Sequence, residues 1–333
     1  MALQAYRAAL FLGSGALNFT RNAYLKHAQS FSEADLDVDL TGQYAIISGG
    51  SAGIGRALAE GLATRGASVC ILCRSQAKGE AAVREIAAST GNQRLSCEAC
   101  DVSSLAAVRA FAAAYVARGV PLHLLVHNAG VMLHERQVTP EGVEANFATN
   151  TLGPYALTEL LLPLLVQSAP AKVVMVSTGG VLSEPLEVDD VEWARSGRFN
   201  GTRQYARNKR QQLALVEHWM EVARTPGVAF LSMHPGWVDT ATLRHAMPAF
   251  YTRFRSRLRT AEQGADTILW LACVAKAMLV SGEFYFDRNI AAKHLTGAGT
   301  QYTPKQREKL FEKVTSIYER TLTGLTAKVA EAT

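Results

Sequence analysis

From Gly42 onward, segments typical of strands and segments typical of helices alternate about every 25 to 30 residues. Such alternation is the pattern of βαβ units, in which a helix links two parallel strands and covers one face of the sheet. A doubly wound parallel sheet of about seven strands, with helices on both faces, is therefore predicted for residues 41–290 as a single α/β domain. A chain of 333 residues is long enough to bury the core of such a domain.

The individual elements follow from short apolar runs and from the helical spacing between them. The predicted strands are QYAIIS, SVCILC, RLSCEAC, LHLLV, AKVVMVS, VAFLSMH and EFYF, in chain order. The predicted helices cover residues 53–66, 75–90, 104–118, 143–165, 202–225 and 260–272. An irregular stretch runs from Thr178 to Gln204, and loops of that length are usually functional. We therefore expect residues 179–204 and 237–260 to form the substrate pocket.

Two extensions flank this domain, one at residues 1–40 and one at residues 291–333. The first is predicted to contain a weakly amphipathic helix, which could dock on the protein body or on a bilayer surface. Its positions at helical spacing are Leu3, Tyr6, Leu10, Gly13 and Leu17. The second is predicted to contain an amphipathic helix that closes the core or covers an interface between subunits. Its apolar positions are Leu310, Phe311, Val314 and Ile317.

The N-terminal residues bear on the location of the protein. No apolar run reaches about 18 residues, so no membrane-spanning helix is predicted. Arg7 and the following AALFLGSGAL resemble a signal peptide only loosely, because two glycines and a serine interrupt the apolar core. We therefore expect a cytoplasmic protein, with contact to a membrane surface left open.

Charge is spread along the chain rather than concentrated. The 34 Lys and Arg against 29 Asp and Glu give a net charge of +5, which does not indicate nucleic-acid binding. Arginines concentrate only in YTRFRSRLRT, at Arg253, Arg255, Arg257 and Arg259. That segment predicts a solvated face, with contact to an anionic substrate group or a membrane surface as the alternative.

The cysteines include two Cys-x-x-Cys pairs, Cys70 with Cys73 and Cys97 with Cys100. Both pairs lie in predicted strands, where residues three apart point to opposite faces and cannot grip one ion. No metal site is therefore predicted. An odd count of five cysteines in a long chain also argues against a disulfide framework and favours reducing surroundings.

The first predicted strand runs into SGGSAGIG, with Gly49, Gly53 and Gly55 at a turn before a helix. Glycines permit a tight turn and let the backbone approach a pyrophosphate, which then lies at the positive N-terminus of the helix. The spacing differs from Gly-x-Gly-x-x-Gly, but its position directly after the first strand indicates a Rossmann-type dinucleotide site.

The second predicted strand ends at Cys73-Arg74, where a dinucleotide site meets the adenosine ribose. No carboxylate stands there to accept a hydrogen bond from the 2′-hydroxyl of NAD. A guanidinium suits a 2′-phosphate, so Arg74 favours NADP(H), with an ordinary surface arginine as the alternative.

The segment YARNK places Tyr205 and Lys209 four residues apart, on one face of a helix. A nearby ammonium stabilises tyrosinate, so we expect Lys209 to lower the pKa of Tyr205 and to make it a proton donor and acceptor. A Tyr-x-x-x-Lys pair often occurs by chance, so it indicates catalysis only together with the other motifs.

Those motifs are SGGSAGIG, CDV, HNAG, NTLG, VVMVST, YARNK and HPGWVDT, in this order. Together they resemble the short-chain dehydrogenase/reductase family, and the insertion before the tyrosine is similar to its retinol-dehydrogenase-like branch. The resemblance implies that Tyr205 is the acid/base, that Lys209 also binds the nicotinamide ribose, and that Asn150 holds a proton-relay water. It also implies cofactor contacts from Ser48, Gly49, Ser51, Gly53, Ile54, Gly55, Arg74, Asp101, Val102, Asn128, Ala129, Gly130, Pro235, Gly236, Val238 and Thr240.

Three positions depart from the family pattern. Ser48 replaces the usual threonine of the glycine motif, and His127 replaces the first Asn of NNAG. We expect His127 to be structural, since it ends a buried strand. Thr178 stands where the family usually has a serine that orients the carbonyl, and it follows Ser177. Its hydroxyl can donate the same hydrogen bond, so Thr178 is the expected residue and Ser177 the fallback.

The sequence as a whole predicts an NADP(H)-dependent oxidoreductase that interconverts a carbonyl and an alcohol. The alternative is an NADP(H)-binding sensor or scaffold with little catalysis, since a fold and a cofactor site do not guarantee chemistry. An apolar, lipid-like or aromatic substrate is predicted from the side chains of the two loops, namely Leu182, Leu186, Trp193, Trp237, Met247, Phe250 and Tyr251. A homodimer or homotetramer is implied by the resemblance alone.

Overall fold

Eight strands form one sheet in the computed structural model, which describes residues 2–222 and 225–332. They are β1 Tyr44–Ser48, β2 Ser68–Cys73, β3 Leu95–Ala99, β4 Leu124–His127, β5 Ala171–Val176, β6 Val228–Met233, β7 Phe284–Phe286 and β8 Asn289–Ile290. Their order across the sheet is β3-β2-β1-β4-β5-β6-β7-β8. All neighbours from β3 to β7 pair in parallel, and β8 pairs antiparallel with β7. The predicted doubly wound α/β fold is confirmed, and β8 is a two-residue addition too short to leave a pattern.

Helices cover both faces of the sheet and form the two extensions. They are α1 Ala2–Asn18, α2 Arg21–His27, α3 Gly53–Thr64, α4 Gln76–Thr90, α5 Leu105–Ala117, α6 Ala145–Phe147, α7 Gly153–Gln167, α8 Gly201–Glu221, α9 Ala241–Ala246, α10 Pro248–Phe254, α11 Ala261–Cys273 and α12 Pro304–Ala332. The helix predicted over residues 202–225 ends at Glu221, and residues 223 and 224 lie outside the described residues.

The strands are apolar because the sheet is buried on both sides. In β1, Ile46 and Ile47 point to opposite faces, and both are 0% exposed. Ile46 packs in one core with α5, α7 and α8, whereas Ile47 packs in a second core with α3 and α11. Continuous apolar runs such as VVMV in β5 are what a parallel sheet between two helix layers requires.

The position of β1 beside β4 determines where a ligand can bind. The chain runs outward from β1 to β3 and then returns to place β4 on the other side of β1. Connections on the two sides of this switch point diverge, which leaves a crevice at the carboxyl ends of the strands. The glycine turn after β1 and the HNAG segment after β4 both open into that crevice.

The long helix predicted over residues 143–165 is interrupted. A π-turn, Ala148–Leu152, joins α6 to α7 and contains Asn150. Gly153 begins α7 where a Cβ would lie 1.9 Å from the carbonyl oxygen of Val102, so only glycine fits against the loop after β3. A π-bulge of this kind often occurs at a functional site because it re-aims a side chain.

The N-terminal helices dock on the protein body. Phe19, which follows α1, is 4% exposed and packs edge-on against His234 and Phe286. Leu3, Tyr6 and Leu17, on other parts of α1, are exposed. None of the helices in the described residues is both long and apolar enough to cross a membrane.

One arginine of YTRFRSRLRT is not part of a solvated face. Arg259 is 1% exposed and pairs with Asp287, at 2.5 Å from Nη1 to Oδ1 and 2.9 Å from Nη2 to Oδ2. Arg253, Arg255 and Arg257 are exposed as predicted. The prediction was wrong for Arg259, because its acidic partner comes from the turn between β7 and β8, 28 residues further along the chain.

The C-terminal helix α12 packs on α7 and α8. Leu310, Val314 and Ile317 are at most 3% exposed. Tyr155 of α7 packs edge-on against Phe311, with 5.5 Å between ring centres. In this structure α12 therefore covers the outer face of the two helices that flank the site.

Replacing Leu310 with alanine should lower the free energy of unfolding by about 2–4 kcal/mol, because it leaves a cavity in this packed layer. Glu308→Ala, on the exposed side of the same helix, should change it by less than about 0.5 kcal/mol. Urea unfolding followed by circular dichroism measures both variants. Equal stability of the two would contradict the packing of α12.

Candidate active site

A cleft of about 480 Å³ lies at the carboxyl ends of the central strands. It brings together most of the residues predicted from sequence. Those that line it are Gly49, Ser51, Gly53, Ile54, Arg74, Asp101, Val102, Asn128, Ala129, Gly130, Ser177, Thr178, Tyr205, Lys209, Pro235, Gly236, Val238 and Thr240. Ser48, Gly55 and Asn150 support its walls without lining it.

The glycine turn forms one end of the cleft. Gly49 and Gly53 have positive φ angles of 69° and 54°, which only glycine adopts readily. A Cβ at Gly55 would lie 2.4 Å from the carbonyl oxygen of Gly49, so this position keeps the turn tight against α3. The backbone amides at the N-terminus of α3 thus face the cleft, an arrangement that suits a pyrophosphate.

Ser48 and Asn128 hold the two halves of the crevice together. The Ser48 Oγ accepts hydrogen bonds from the backbone N–H groups of Asn128 and Ala129, each at 3.1 Å. The Asn128 amide donates to the carbonyl oxygens of Ser48 and Gly49, also at 3.1 Å each. Ser48 is 1% exposed, so its hydroxyl shapes the cleft wall from behind.

At the far end of the turn, Arg74 is exposed and directly follows β2. Asp101, after β3, lines the same end and accepts hydrogen bonds from Ser103 N at 2.9 Å and Ser103 Oγ at 2.8 Å. The residues after β2 are Arg74 and Ser75, so no carboxylate follows that strand directly. This end of the cleft can accept an anionic group.

Tyr205 and Lys209 lie one turn apart on α8 and face the cleft. The Lys209 Nζ donates a hydrogen bond to the carbonyl oxygen of Val176 at 2.7 Å and lies 5.6 Å from the centre of the Tyr205 ring. A Cβ added at Gly130 would lie 3.2 Å from Asn150 Oδ1 and 3.5 Å from that Nζ, so a side chain there would press first on Asn150.

Burial governs the ionisation of this pair. It raises the pKa of Tyr205 to about 12 and lowers the pKa of Lys209 to about 7. The pKa of Tyr205 is thus raised, because desolvation disfavours the charged form of the phenol, as it does that of the lysine. That Lys209 lowers the pKa of Tyr205 stays a prediction.

Asn150 fixes the segment that follows HNAG. Its Oδ1 accepts from the N–H of Val131 at 3.0 Å, and its Nδ2 donates to the Val131 carbonyl oxygen at 2.8 Å. The Asn150 carbonyl oxygen accepts from Gln212 Nε2 at 2.5 Å. Gln212 was missed from sequence, and its position on the Tyr205 helix two turns beyond the tyrosine was the available signal.

The structure distinguishes the two candidate hydroxyls. Ser177 is 4% exposed, and its Oγ donates to the carbonyl oxygen of Lys209 at 3.1 Å. Thr178 Oγ1 accepts from the N–H of Gly180 at 3.2 Å, a bond that does not use the threonine's own proton. Thr178 is therefore the hydroxyl able to donate into the cleft.

His127 lies in the core and does not line the cleft. It is 1% exposed, and its Nε2 is 2.8 Å from the Thr158 hydroxyl, which donates to the carbonyl oxygen of Pro154. Burial and the positive charge of Lys209 lower the pKa of His127 to about 3, so it is neutral at physiological pH. It acts here as a packed hydrogen-bonding side chain.

The remaining end of the cleft is apolar. Of the loop residues expected there, Trp237, Met247 and Phe250 line it. The others expected there, Leu182, Leu186, Trp193 and Tyr251, do not line it. Leu182 and Tyr251 pack behind the wall, in the cluster that contains Trp237 and Phe250. Trp193 is 3% exposed, and the Arg207 guanidinium of α8 lies 4.2 Å from the centre of its ring, so the loop folds over that helix. Two lining residues, Phe11 and Leu12, come from α1 and were not expected.

The described part of the chain holds no group of three or more His, Cys, Asp or Glu that could bind a metal ion. Cys73 Sγ and Cys97 Sγ lie 3.3 Å apart, but they face each other as a pair of free thiols.

A doubly wound sheet with a glycine turn after β1 and a Tyr-x-x-x-Lys helix after β5 defines a nucleotide-dependent oxidoreductase. The family model for short chain dehydrogenase matches residues 43–186. The dehydrogenase/reductase SDR family member 12 of Homo sapiens is 41% identical over 308 residues, which are 92% of this chain and 96% of that protein. The chain belongs to the short-chain dehydrogenase/reductase family, in its retinol-dehydrogenase-like branch, and acts as an oxidoreductase on alcohol or carbonyl groups.

Two further relatives extend the comparison. Retinol dehydrogenase 11 of Homo sapiens is 32% identical over 256 residues, which are 76% of this chain and 80% of that protein. A metagenomic short-chain oxidoreductase solved in complex with NADP is 25% identical, with a TM-score of 0.55. That likeness covers 73% of this chain and 95% of the solved one.

Lys209→Met should stabilise the protein most at low pH. The buried lysine holds its proton only below a pKa of about 7, whereas the unfolded chain holds it up to about 10.4. The cost of burying the charge is therefore fully present below pH 7 and is relieved as pH rises toward 10.

Urea unfolding at pH 6, 7.5 and 9 measures this difference, with the exposed Lys313→Met as the control. The stability gain of Lys209→Met over wild type should shrink with rising pH, and the control should show no such trend. A pH-independent difference for Lys209→Met would contradict the assigned ionisation.

Proposed function

We propose that this protein is an NADP(H)-dependent oxidoreductase that reduces the carbonyl group of an apolar, lipid-like or aromatic substrate. The observation that carries the proposal is that Tyr205, Lys209 and Thr178 line one cleft, between a glycine cradle at one end and an apolar wall at the other. One cleft thus contains a region that suits a dinucleotide, a proton donor and an apolar region that suits the substrate.

The choice of NADP(H) over NAD(H) rests on Arg74. It lines the adenosine end of the cleft, and no carboxylate directly follows β2. An arginine binds a 2′-phosphate with two charge-assisted hydrogen bonds, whereas a carboxylate there would repel it. The relative solved with NADP supports the same choice.

The remaining cofactor contacts follow the shape of the cleft. Asp101 and Val102 would bind the adenine end, and the 128–130 segment would support the centre. Pro235, Gly236, Val238 and Thr240 would lie against the nicotinamide end. When bound, the cofactor supplies or accepts the hydride.

The chain's own residues would handle the proton and the oxygen. Tyr205 would donate a proton to the carbonyl oxygen, and its pKa of about 12 keeps the donor form populated across the physiological range. Lys209, when charged, would stabilise the tyrosinate that remains. Thr178 would donate a hydrogen bond to the same oxygen as negative charge develops there. Asn150 would position a relay water through the backbone of its π-turn.

A cytoplasmic location and contact with a membrane surface remain predictions. The exposed apolar residues of α1 and the exposed Arg253, Arg255 and Arg257 support such contact. A homodimer or homotetramer also remains a prediction.

Tyr205→Phe should lower kcat at least about 100-fold while leaving the Kd for NADPH within about threefold, because only the phenol proton is lost. Tyr318→Phe on α12 is the control and should keep full activity. The measurements are NADPH oxidation with a panel of aldehydes and ketones, and NADPH binding by fluorescence. Tyr205→Phe with wild-type turnover would refute the acid/base role. Wild-type protein that binds NADPH but consumes none across the panel would favour a sensor.

Arg74→Asp should weaken NADPH binding by about 10- to 100-fold and NADH binding by less than about threefold, because the new carboxylate repels the 2′-phosphate. Arg84→Asp, an exposed residue on α4 with the same change of charge, should leave both affinities unchanged. Isothermal titration of each variant with each cofactor gives the comparison. Equal losses for the two cofactors would contradict a phosphate contact.

A further inference from the structure

The N-terminal helix α1 contributes side chains to the apolar end of the cleft. Phe11 and Leu12 line the same space as Tyr205 and Thr178. Phe11 also reaches the catalytic loop, since a Cβ added at Gly179 would lie 3.2 Å from Phe11 Cε2. Gly179 directly follows Thr178, so this aromatic ring lies beside the loop that carries the hydroxyl assigned to the carbonyl oxygen.

The end of α1 is fixed to the loop after β6. The carbonyl oxygen of Phe19 accepts from Trp237 N at 2.8 Å and from Arg259 Nε at 3.1 Å. A Cβ at Gly15 would lie 2.3 Å from the Trp237 ring, so glycine lets the helix backbone rest directly on that side chain. The position of Phe11 is thus set by the same loop that carries Pro235 and Gly236.

The N-terminal half of α1 is fixed to a different part of the chain. The Arg7 guanidinium donates to the carbonyl oxygens of Ala298 at 2.5 Å and Gly299 at 3.2 Å. With contacts at Arg7 on one side of Phe11 and at Gly15 and Phe19 on the other, α1 is held in place as an element of the cleft wall.

Helices α9 and α10 and the residue that joins them form another part of the wall. Leu243, Met247 and Phe250 line the cleft from that side, and Phe250 packs edge-on against Trp237 with 4.9 Å between ring centres. In the described residues, α1, α9 and α10 contribute no charged side chain to the lining. An apolar group enters such a slot by losing water, without leaving a buried charge unpaired.

We propose that α1 is a wall of the substrate pocket and that Phe11 is a specificity-determining residue. Its ring limits the length and bulk of the apolar group attached to the carbonyl. The inference rests on the proposed function for its substrate chemistry. By this proposal the N-terminal extension is part of the active site. It forms a wall at the apolar end of the cleft, away from the cofactor end at Arg74 and Asp101.

The test compares Phe11→Ala, Phe11→Trp and the control Leu17→Ala, which changes a residue of α1 that is 77% exposed. Each variant is assayed with NADPH and straight-chain aldehydes from butanal to dodecanal. Phe11→Ala should raise the ratio of kcat/KM for dodecanal over butanal by about tenfold, mainly through KM, because it lengthens the slot. Phe11→Trp should lower that ratio by a similar factor, and Leu17→Ala should leave it unchanged.

The paired variants separate specificity from loss of structure. Damage to α1 would move the ratio in the same direction for both Phe11 variants, and that result would overturn the proposal. A ratio within twofold of wild type for both would overturn it as well. Thermal melting and the Kd for NADPH should stay near wild-type values for all three variants.

A binding measurement distinguishes failure of this inference from failure of the proposed function. Calorimetric titration of the protein with NADPH and straight-chain alcohols from butanol to dodecanol needs no turnover. Opposite shifts in chain-length preference for Phe11→Ala and Phe11→Trp, without aldehyde reduction, would support the pocket wall and refute the reductase. Absence of alcohol binding to the wild-type protein would overturn the pocket wall.

Discussion

The site depends on the junction between the carboxyl ends of β1 and β4, where the two halves of the sheet diverge. Ser48 and Asn128 exchange hydrogen bonds across this junction with backbone groups only. Buried backbone groups at strand ends need partners, and these two side chains provide them without filling the crevice. The glycine turn, the 128–130 segment and, through Asn150, the π-turn all take their positions from this pairing. A small buried hydroxyl at position 48 therefore helps to hold both sides of the cleft in position.

Burying Tyr205 and Lys209 costs free energy, because their charged forms lose contact with water. The same desolvation sets their pKa values and so affects proton transfer. Lys209 is 2% exposed, with the Val176 carbonyl oxygen as the hydrogen-bond acceptor for its Nζ. Burial brings the lysine close to neutrality at physiological pH and keeps Tyr205 protonated. The pKa of a buried ionisable group shifts strongly when a charge is placed beside it, because little water is present to screen that charge. The pair is thus prepared to change its protonation when a ligand alters the local field.

The sequence predicted what depends on local pattern. A few neighbouring residues are enough to predict the strands, the glycine turn, the role of Arg74 and the Tyr205–Lys209 spacing. The order of the motifs indicated the family. Contacts between distant segments could not be predicted that way. Phe11 reaches the cleft only because α1 docks on Trp237, and Trp193 lies against Arg207 of α8 instead of lining the cleft. The rise in the pKa of Tyr205 could not be predicted for a related reason, since desolvation depends on the completed packing.

Arg259 joins segments that are distant in sequence. Its guanidinium pairs with Asp287 after β7, donates to the carbonyl oxygens of Asn18 and Phe19, and lies where a Cβ at Gly236 would be 2.3 Å from Nε. A buried ion pair is stabilising only when its remaining hydrogen-bonding groups are satisfied. Here the N-terminal extension supplies those acceptors, and the guanidinium in turn supports the Pro235–Gly236 backbone beside the cleft. Arg259 therefore couples the N-terminal extension to the loop after β6. As a result, the α1 wall of the cleft and the Pro235–Gly236 backbone, which is assigned to the nicotinamide end, belong to one packed unit.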